Sequence, residues 1–329
     1  MQRSPSSCPD CESFDRRSFL KTAGKATVAG VAMPMLVGQS GLFAAPTAKS
    51  AAETAVGRFH ASLSADQKKT LCFAFDHELR SKINANWHIT KPKIGSDFFN
   101  KDQQAIITEI LRGVTSEEGY ERLTKQMDED AGGLDEFSVA MFGEPGGPFE
   151  WELTGRHLTL RADGNSVDKA AFGGPIIYGH GEETPKDNIY HYQTKQVNEV
   201  FKALDAKQAE QALVAKAPGE AAVAMQGENG KFPGIGVGQL SADQKQLVNK
   251  TIQMLLSPYR KEDVDEVMEI VKASGGLDKL HMAFYQQGDL GSDKVWDIWR
   301  VEGPSFVWHF RGAPHVHAYI NIGMVTSKS

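Results

Sequence analysis

The chain has 329 residues, with 36 basic and 42 acidic side chains and a formal net charge of −6 at pH 7. This mildly acidic balance argues against nucleic acid or an anionic membrane as the binding partner. Two of the three cysteines, Cys8 and Cys11, lie near the N-terminus and leave Cys72 without a partner, so we expect no disulfide framework. The chain is long enough to bury a substantial core, as one large domain or two tight ones.

An export signal is predicted at the N-terminus. The run Asp15–Lys21 contains the adjacent pair Arg16 and Arg17, followed by serine, phenylalanine, leucine and lysine. This spacing is highly specific for twin-arginine export, which carries folded proteins out of the cytoplasm. The apolar stretch Ala26–Val37 is about a dozen residues long, too short to span a bilayer of roughly 30 Å, and is typical of a signal peptide.

The predicted signal peptide covers residues 1–48, with several usable cleavage points between about Ala44 and Ala51. We therefore expect the twin-arginine translocation machinery and a signal peptidase as partners, and a periplasmic or extracellular location. No cysteine lies near the cleavage region, so we expect neither a lipid anchor nor any other stable membrane anchor. The signal contains five basic and three acidic side chains, and its removal changes the formal net charge to −8.

Two long segments of the mature region share one order of motifs. The first segment, about residues 99–180, begins at the helix cap Asn100, and the second, about residues 240–322, begins at the cap Ser241. Short polar side chains at such positions accept hydrogen bonds from the free amides of the first helical turn. After a helical pattern, both segments reach the motif Gly-Gly-Leu-Asp, at Gly132–Asp135 and at Gly275–Asp278. We interpret the two segments as an internal duplication.

Both segments then change to strand periodicity, which predicts a small antiparallel meander in each. The predicted strands are Phe137–Phe142, Phe149–Leu153 and His157–Arg161 in the first segment, and His281–Tyr285, Val295–Val301 and Phe306–Phe310 in the second. Helices are predicted over Lys195–Leu204 and Ala206–Val214, and a loop over Ala217–Gly238. Ser64 caps a further predicted helix from Lys68 to about Leu79.

The sequence therefore predicts an α+β fold. Two internally duplicated units, each composed of two helices and an antiparallel meander, would pack around a shared core. Residues 49–329 would form a single domain that contains both units.

Several motifs resemble a known family. Phe149–Leu160, Gly173-Gly174-Pro175 and His315-Val316-His317 are similar to motifs of the secreted proteins grouped as the domain-of-unknown-function family DUF3500, and Arg80, Trp87 and Pro92 add to the likeness. The resemblance spans roughly residues 60–322. Where the family is expected to have two adjacent histidines, this chain has Arg156 and His157. The resemblance implies a shared fold and no particular activity.

The densest group of candidate metal ligands lies near the C-terminus. On a strand, His315, His317, Tyr319 and Asn321 would share one face. A two-residue loop at Gly312-Ala313 would pair His317 with Trp308, whereas a three-residue loop would place His309 opposite His317 and supply a third ligand. The two hairpin registers are both open at this point.

Two more histidines lie near the end of the first segment. His157 follows the predicted hairpin turn Gly155-Arg156, and its face would also carry Thr159 and Arg161, opposite Thr154, Glu152 and Glu150. His180 is flanked by glycines, which let a ligand approach the backbone closely. If the two units pack about a pseudo-twofold axis, the ends of their strands converge and bring these histidines together.

The functional hypothesis is a metal-binding, exported protein that acts as a metal-dependent enzyme. His315 and His317, with one or more of His157, His180 and His309, would bind copper, zinc or iron. The candidate acid-base or outer-sphere groups are Glu152 and Tyr319. The alternatives are a solvated polar sheet face, a non-catalytic protein that binds a small molecule or carbohydrate on tryptophan and tyrosine side chains, and an envelope interaction protein.

Overall fold

The computed structural model describes residues 45–182, 184–289 and 293–324. The twin-arginine motif and the apolar stretch of the predicted signal peptide lie outside these ranges. Within them the chain folds into a mixed α+β structure with a single large sheet. No helix in the described ranges is both long and apolar enough to cross a bilayer.

The described residues contain eight α-helices. They are α1 (Ala51–Ser62), α2 (Ala65–Leu71), α3 (Lys101–Gly113), α4 (Glu117–Ala131), α5 (His191–Lys202), α6 (Ala206–Ala212), α7 (Ala242–Leu256) and α8 (Lys261–Ala273). The predicted caps are present, because the side chains of Ser64, Asn100 and Ser241 each accept a hydrogen bond from the amide three residues ahead.

Eleven strands form the sheet. They are β1 (Cys72–Phe73), β2 (Ser138–Gly143), β3 (Phe149–Gly155), β4 (Leu158–Ala162), β5 (Ile176–His180), β6 (Leu213–Val214), β7 (Ile235–Gly236), β8 (His281–Tyr285), β9 (Ile298–Gly303), β10 (Phe306–Arg311) and β11 (Val316–Ile322). Their order is β1-β2-β3-β4-β5-β11-β10-β9-β8-β6, and β7 pairs with β8 outside this path. The pairs β1–β2 and β6–β8 are parallel, and the other pairs are antiparallel.

One prediction of an element is wrong. The helix expected from Lys68 to about Leu79 ends at Leu71, and the chain continues as the edge strand β1. Phe73 pairs with Phe142 on β2, and their rings lie 5.6 Å apart. Burial of Phe73 against the sheet therefore overrides the helical pattern, a common outcome for short segments.

One face of the sheet packs against the helices to form the main core. Trp151 and Leu153 of β3, and Trp299 and Val301 of β9, belong to the same buried cluster as helix residues such as Ile107. Trp151, Trp299 and Trp308 are fully buried. These three tryptophans are therefore part of the core and do not form the surface stacking platform that a carbohydrate-binding function would use.

The other face of the sheet carries polar side chains beneath two long loops. Trp87 and Ile89, from the loop after β1, pack on Ala140 and Phe142 of β2. Val223, from the loop after β6, packs in a separate cluster with Val307 of β10 and Tyr319 of β11. The loops therefore bury charged strand residues that would otherwise face solvent, and the candidate site forms on this side.

Equivalent side-chain contacts recur in the two halves. Gln103, at the start of α3, donates to the Ser62 carbonyl at the end of α1, and Gln244, at the start of α7, donates to the Ala203 carbonyl just after α5. Each of these glutamines also bonds to a glutamine 36 residues earlier, Gln67 or Gln208. The Asp205 cap of α6 forms a capping box, as the Ser64 cap of α2 does.

Candidate metal centre

Three of the predicted histidines converge at one end of the sheet. One donor nitrogen from each of His157, His315 and His317 lies within 4.8 Å of the others. The Nε2 atoms of His315 and His317 are 3.0 Å apart, and the His157 ring is 5.2 and 5.0 Å from the other two rings. This triad is the one group of potential metal ligands found among the described residues.

His157 belongs to the hairpin turn between β3 and β4. Gly155 pairs with Leu158, so the turn residues are Arg156 and His157, and His157 has a φ of 56°. The predicted turn Gly155-Arg156 is wrong by one residue, so His157 lies in the turn and not on the strand after it. The other residues of the predicted face do share one face, because Thr154 pairs with Thr159 and Glu152 with Arg161. The backbone of His157 is held from both sides by bonds to the Ala85 carbonyl and from the Gln126 side chain.

Both predicted registers for the last hairpin are wrong. Arg311 pairs with His317 and His309 pairs with Tyr319, so the five residues 312–316 lie between the last paired residues of the hairpin. His315 therefore lies in the loop before β11, while His317 lies on the strand. His309 shares the sheet face of His317 but lies one strand away and two residues further along, outside the triad.

Glycine on β5 makes room for the triad. Gly179 pairs with His317 across the β5–β11 ladder. A Cβ at Gly179 would lie 2.4 Å from the Val316 carbonyl oxygen and 3.2 Å from the Cβ of His157. Any larger residue would therefore displace His157 or the strand that carries His317.

Two carboxylates orient the imidazoles. Asp130 Oδ2, at the end of α4, is 2.7 Å from His157 Nδ1, and Asp130 Oδ1 accepts from the Gly181 amide at 2.7 Å. Glu220 Oε2 is 2.8 Å from His317 Nδ1. These contacts fix both Nδ1 atoms as N–H donors, which leaves the Nε2 lone pairs for a ligand. The Nε2 atom of His157 is buried and has no hydrogen-bond partner in the described part of the chain.

The electrostatic environment keeps the imidazoles of His315 and His317 neutral. Burial, together with the neighbouring His317 and Arg311, lowers the pKa of His315 to about 3. Burial and Arg311 also lower the pKa of His317 well below its usual value. Burial raises the pKa of Asp130, but its hydrogen bond with His157 and the nearby positive charge outweigh burial and lower it overall. Neutral imidazoles supported by ionised carboxylates are the form that binds a cation.

The other two predicted histidine ligands lie elsewhere. His180 Nε2 is 2.8 Å from Glu129 Oε2, and His180 shares the helix-facing side of β5 with the core residue Tyr178. His309 is buried beside Arg300, whose Nε atom is 3.4 Å from His309 Nδ1. Burial and the charge of Arg300 lower the pKa of His309 to about 3.

The two predicted acid-base candidates also lie outside the triad. Glu152 pairs with Arg161 on β4, further along the hairpin from the turn that carries His157. Arg161 Nη2 is 3.3 Å from Glu152 Oε1, and burial raises the pKa of Glu152 to about 8. Tyr319 follows His317 on the same face of β11, with the two rings 6.3 Å apart. Tyr319 is therefore a neighbour of one ligand, and Glu152 belongs to a separate buried charge cluster.

The sequence prediction missed Asp130, Glu220 and Arg311. A signal existed for Asp130, because Asp128, Glu129 and Asp130 are three acidic residues in the last turn of α4 with no basic residue among them. The helix dipole disfavours anions at that end, so such a run indicates a partner elsewhere. Glu220 lies in a loop without any distinguishing pattern, and Arg311 ends β10 as an ordinary basic residue.

The family comparison fits the whole described fold. A family model described as Protein of unknown function (DUF3500) matches residues 45–321. This chain belongs to the DUF3500 family. The match begins where the described chain begins and ends one residue before the end of β11. It therefore includes both halves of the sheet and all three triad histidines, and it confirms the resemblance seen in the sequence motifs. No curated protein and no solved structure matches the chain.

Proposed function

We propose that this DUF3500 protein binds one transition-metal ion through the Nε2 atoms of His157, His315 and His317. The observation that carries the proposal is the convergence of three buried or half-buried imidazoles, two of which have their Nδ1 atoms held by carboxylates. Metal-binding histidines almost always have such a partner on the second nitrogen. A tetrahedral ion with bonds of 2.0–2.1 Å needs donor nitrogens about 3.3 Å apart, close to the 3.0 Å between His315 and His317.

Zinc fits this donor set best among copper, zinc and iron. The triad contains imidazoles and no thiolate, and three protein ligands leave one tetrahedral position open. Structural zinc sites have four protein ligands, so the open position favours a catalytic role. His315 and the neighbouring Arg311 and Glu220 are partly exposed, which gives the open position access to solvent. An ion in such a site supplies Lewis-acid chemistry or an activated water.

Metal analysis of protein recovered after native export tests the proposal. We expect close to one equivalent of metal per chain, and a loss of most of it in the variant His315→Ala plus His317→Ala. The exposed His88→Ala is the matched control and should keep the wild-type metal content. His309→Gln should also keep it, because His309 lies outside the triad. A wild-type protein with less than about half an equivalent of any transition metal would contradict the proposal.

A second candidate function is the binding of a small polar molecule in a cleft lined in part by residues of β8 and β9. The cleft has a volume of 490 Å³ and is lined by Lys216, Ala222, Gln226, Tyr285, Arg300 and Glu302. The Tyr285 hydroxyl is buried and has no hydrogen-bond partner within the described ranges. A ligand that accepts this hydrogen bond should raise the melting temperature of the wild-type protein and have a weaker effect on Tyr285→Phe. A screen of sugars and small acids that gives no shift would remove this candidate.

We infer that the protein is exported through the twin-arginine pathway, with cleavage at the early end of the predicted range, near Ala44. Pro46 is buried, and the Thr47 amide donates to the Ser50 side chain just before α1 begins at Ala51. Cleavage at Ala51 would remove these contacts. N-terminal sequencing of the exported protein should find a start close to Ala45, and Arg16→Lys plus Arg17→Lys should leave the protein in the cytoplasm. Normal export of the double variant would contradict this inference.

We infer further that the duplication extends to residues 51–180 and 191–322. The order of helices and strands recurs across these segments, and the Gln67–Gln103 contact has its counterpart in Gln208–Gln244. Two residue pairs 144 positions apart, Thr115–Tyr259 and Ile176–Ile320, meet as backbone bridges. If a twofold axis relates the two units, a residue can pair with its own equivalent in the other unit only where the strands cross that axis. His157 would then come from one unit, and His315 and His317 from the other.

A further inference from the structure

Arg311 contacts two of the three proposed ligands. Its Nη2 atom is 3.2 Å from His315 Nε2 and 2.9 Å from His317 Nδ1, and its Nη1 atom is 2.8 Å from Glu220 Oε1. The side chain is only 17% exposed, and its Nε atom is buried without a hydrogen-bond partner in the part of the chain that is described. A guanidinium group donates and never accepts, so His315 Nε2 is its acceptor, whereas His317 Nδ1 donates to Glu220 and cannot accept from it.

Metal binding at the triad would remove that acceptor. When His315 Nε2 binds an ion, its lone pair is no longer available to Arg311. His317 Nδ1 offers no replacement acceptor, because it carries a proton and donates to Glu220, 2.8 Å away. The Nη2 and Nε groups of Arg311 are then a two-donor edge beside the ion. Unpaired donors in a half-buried site are costly, so this edge requires another acceptor.

The balance of charge around the metal-loaded centre also favours the binding of a further acceptor. A divalent ion and Arg311 would contribute three positive charges, whereas Asp130 and Glu220 contribute two negative charges. Glu220 already receives hydrogen bonds from Arg311 Nη1 and from His317, one on each carboxylate oxygen. The metal-loaded centre therefore keeps an excess positive charge at its partly exposed side, where the open metal position lies.

We propose that the metal-loaded centre recognises a small anion with at least two oxygen atoms, a carboxylate or an oxyanion. One oxygen binds the open metal position, and another accepts from the Nη2 and Nε edge of Arg311. Arginine suits this role because its planar fork matches carboxylate and phosphate geometry. This inference rests on the proposed metal site and names the substrate class of that site as anionic. Arg311 is thus a residue that binds the substrate.

With cobalt(II) as the bound metal, anion binding can be followed through the visible absorption of the cobalt ion. Full-length mature protein is loaded with cobalt(II) in a chloride buffer, and its visible absorption is measured during separate titrations with acetate and with inorganic phosphate. We expect a saturable spectral change with at least one of the two anions. Acetate alone would identify a carboxylate substrate, phosphate alone an oxyanion, and both anions the chemistry that the two classes share.

Variants of Arg311 test whether this side chain binds the anion. We expect Arg311→Gln to weaken anion binding by about tenfold or more, since a charge-assisted two-point contact is lost. Arg311→Lys keeps the charge without the fork and should recover only part of the affinity. Lys207→Gln removes an exposed positive charge on α6, outside both the triad and the cleft, and is the matched control, with expected affinity within about twofold of wild type. Near-ultraviolet circular dichroism of each variant verifies the fold.

The same experiment separates the two proposals. By linkage, a saturating anion should increase the affinity for cobalt by the same factor by which cobalt increases the affinity for the anion. A protein that binds no cobalt would overturn the proposed metal site itself. A protein that binds cobalt through the triad but shows no response to either anion, or responds equally in wild type and Arg311→Gln, would overturn the anion proposal and leave the metal site standing.

Discussion

His157 and Asp130 are 27 residues apart in the sequence, yet His157 Nδ1 and Asp130 Oδ2 are 2.7 Å apart in the fold. The contact joins the last turn of α4 to the hairpin turn between β3 and β4. His157 is 0% exposed, and this contact is the one hydrogen bond of its side chain within the described ranges. The carboxylate therefore determines which nitrogen of His157 faces the other two histidines.

Substitution of Asp130 tests the importance of this contact. Asp130→Asn keeps the size of the side chain but no longer holds His157 in the correct tautomer by charge. We expect metal affinity to fall by about 10–100-fold with little change in fold, as is usual for partners of metal-binding histidines. Competition with a chelator measures the affinity. Asp128→Asn, an exposed residue in the same helical turn, is the control, and equal effects of the two substitutions would refute the assignment.

The recurring glutamine contacts provide a test of the duplication. Gln103 and Gln244 each bond to the end of an earlier helix and to a second glutamine. Because the two sets of bonds are equivalent, Gln103→Ala and Gln244→Ala should each lower the free energy of unfolding, by about 1–2 kcal/mol. Urea denaturation measures both values. A loss in one half with no loss in the other would contradict equivalent roles.

Stability should decline as the pH rises from about 7 to about 8.5, above the range in which the histidines with lowered pKa values oppose this trend. Burial raises the pKa of Asp263 to about 7 and the pKa values of Glu152 and Glu266 to about 8. The folded state thus holds these protons more tightly than the unfolded state does. The stabilisation from these groups is fully present below their ordinary pKa values and is lost as the pH rises through the raised ones.

The substitution Glu152→Gln removes one of these ionisable carboxyl groups and so tests its share of the pH dependence. Glutamine has nearly the same shape and cannot ionise, so the melting temperature should fall less steeply with pH than in wild type. At pH 8.5 the variant should be the more stable protein, since the cost of a buried charge is absent. Thermal unfolding at several pH values measures the slopes. The exposed Glu121→Gln should leave the wild-type slope unchanged, and a Glu152→Gln profile parallel to wild type would reject the explanation.

The contact between the two halves near Thr115 and Tyr259 should be sensitive to added volume. A Cβ at Gly119 would lie 1.8 Å from the Pro258 carbonyl oxygen, so Gly119→Ala should destabilise by about 1–3 kcal/mol or more. Gly57, inside α1, has no heavy atom within 4 Å of the corresponding position. Gly57→Ala should therefore stabilise by about 0.5–1 kcal/mol. Chemical denaturation compares the two, and equal effects would contradict a close contact at Gly119.

The local elements of the fold were predictable from the sequence. The caps at Ser64, Asn100 and Ser241 and the strands of both meanders depend on residues a few positions apart, which a sequence pattern displays directly. The edge strand β1 was missed because its burial depends on Phe142, far along the chain. The central pairing of β5 with β11, which joins the two halves of the sheet, likewise has no local signal.

The sequence by itself determined the family, the mixed α+β composition and the histidines worth examining, since each depends on residue types and their local order. Only the tertiary structure decided which histidines meet. Pairing of β5 with β11 brings His157 to His315 and His317, and the five residues 312–316 between the paired residues Arg311 and His317 keep His309 away from them. Asp130, Glu220 and Arg311 join the site through contacts between distant segments, and such contacts form only when the whole sheet has assembled.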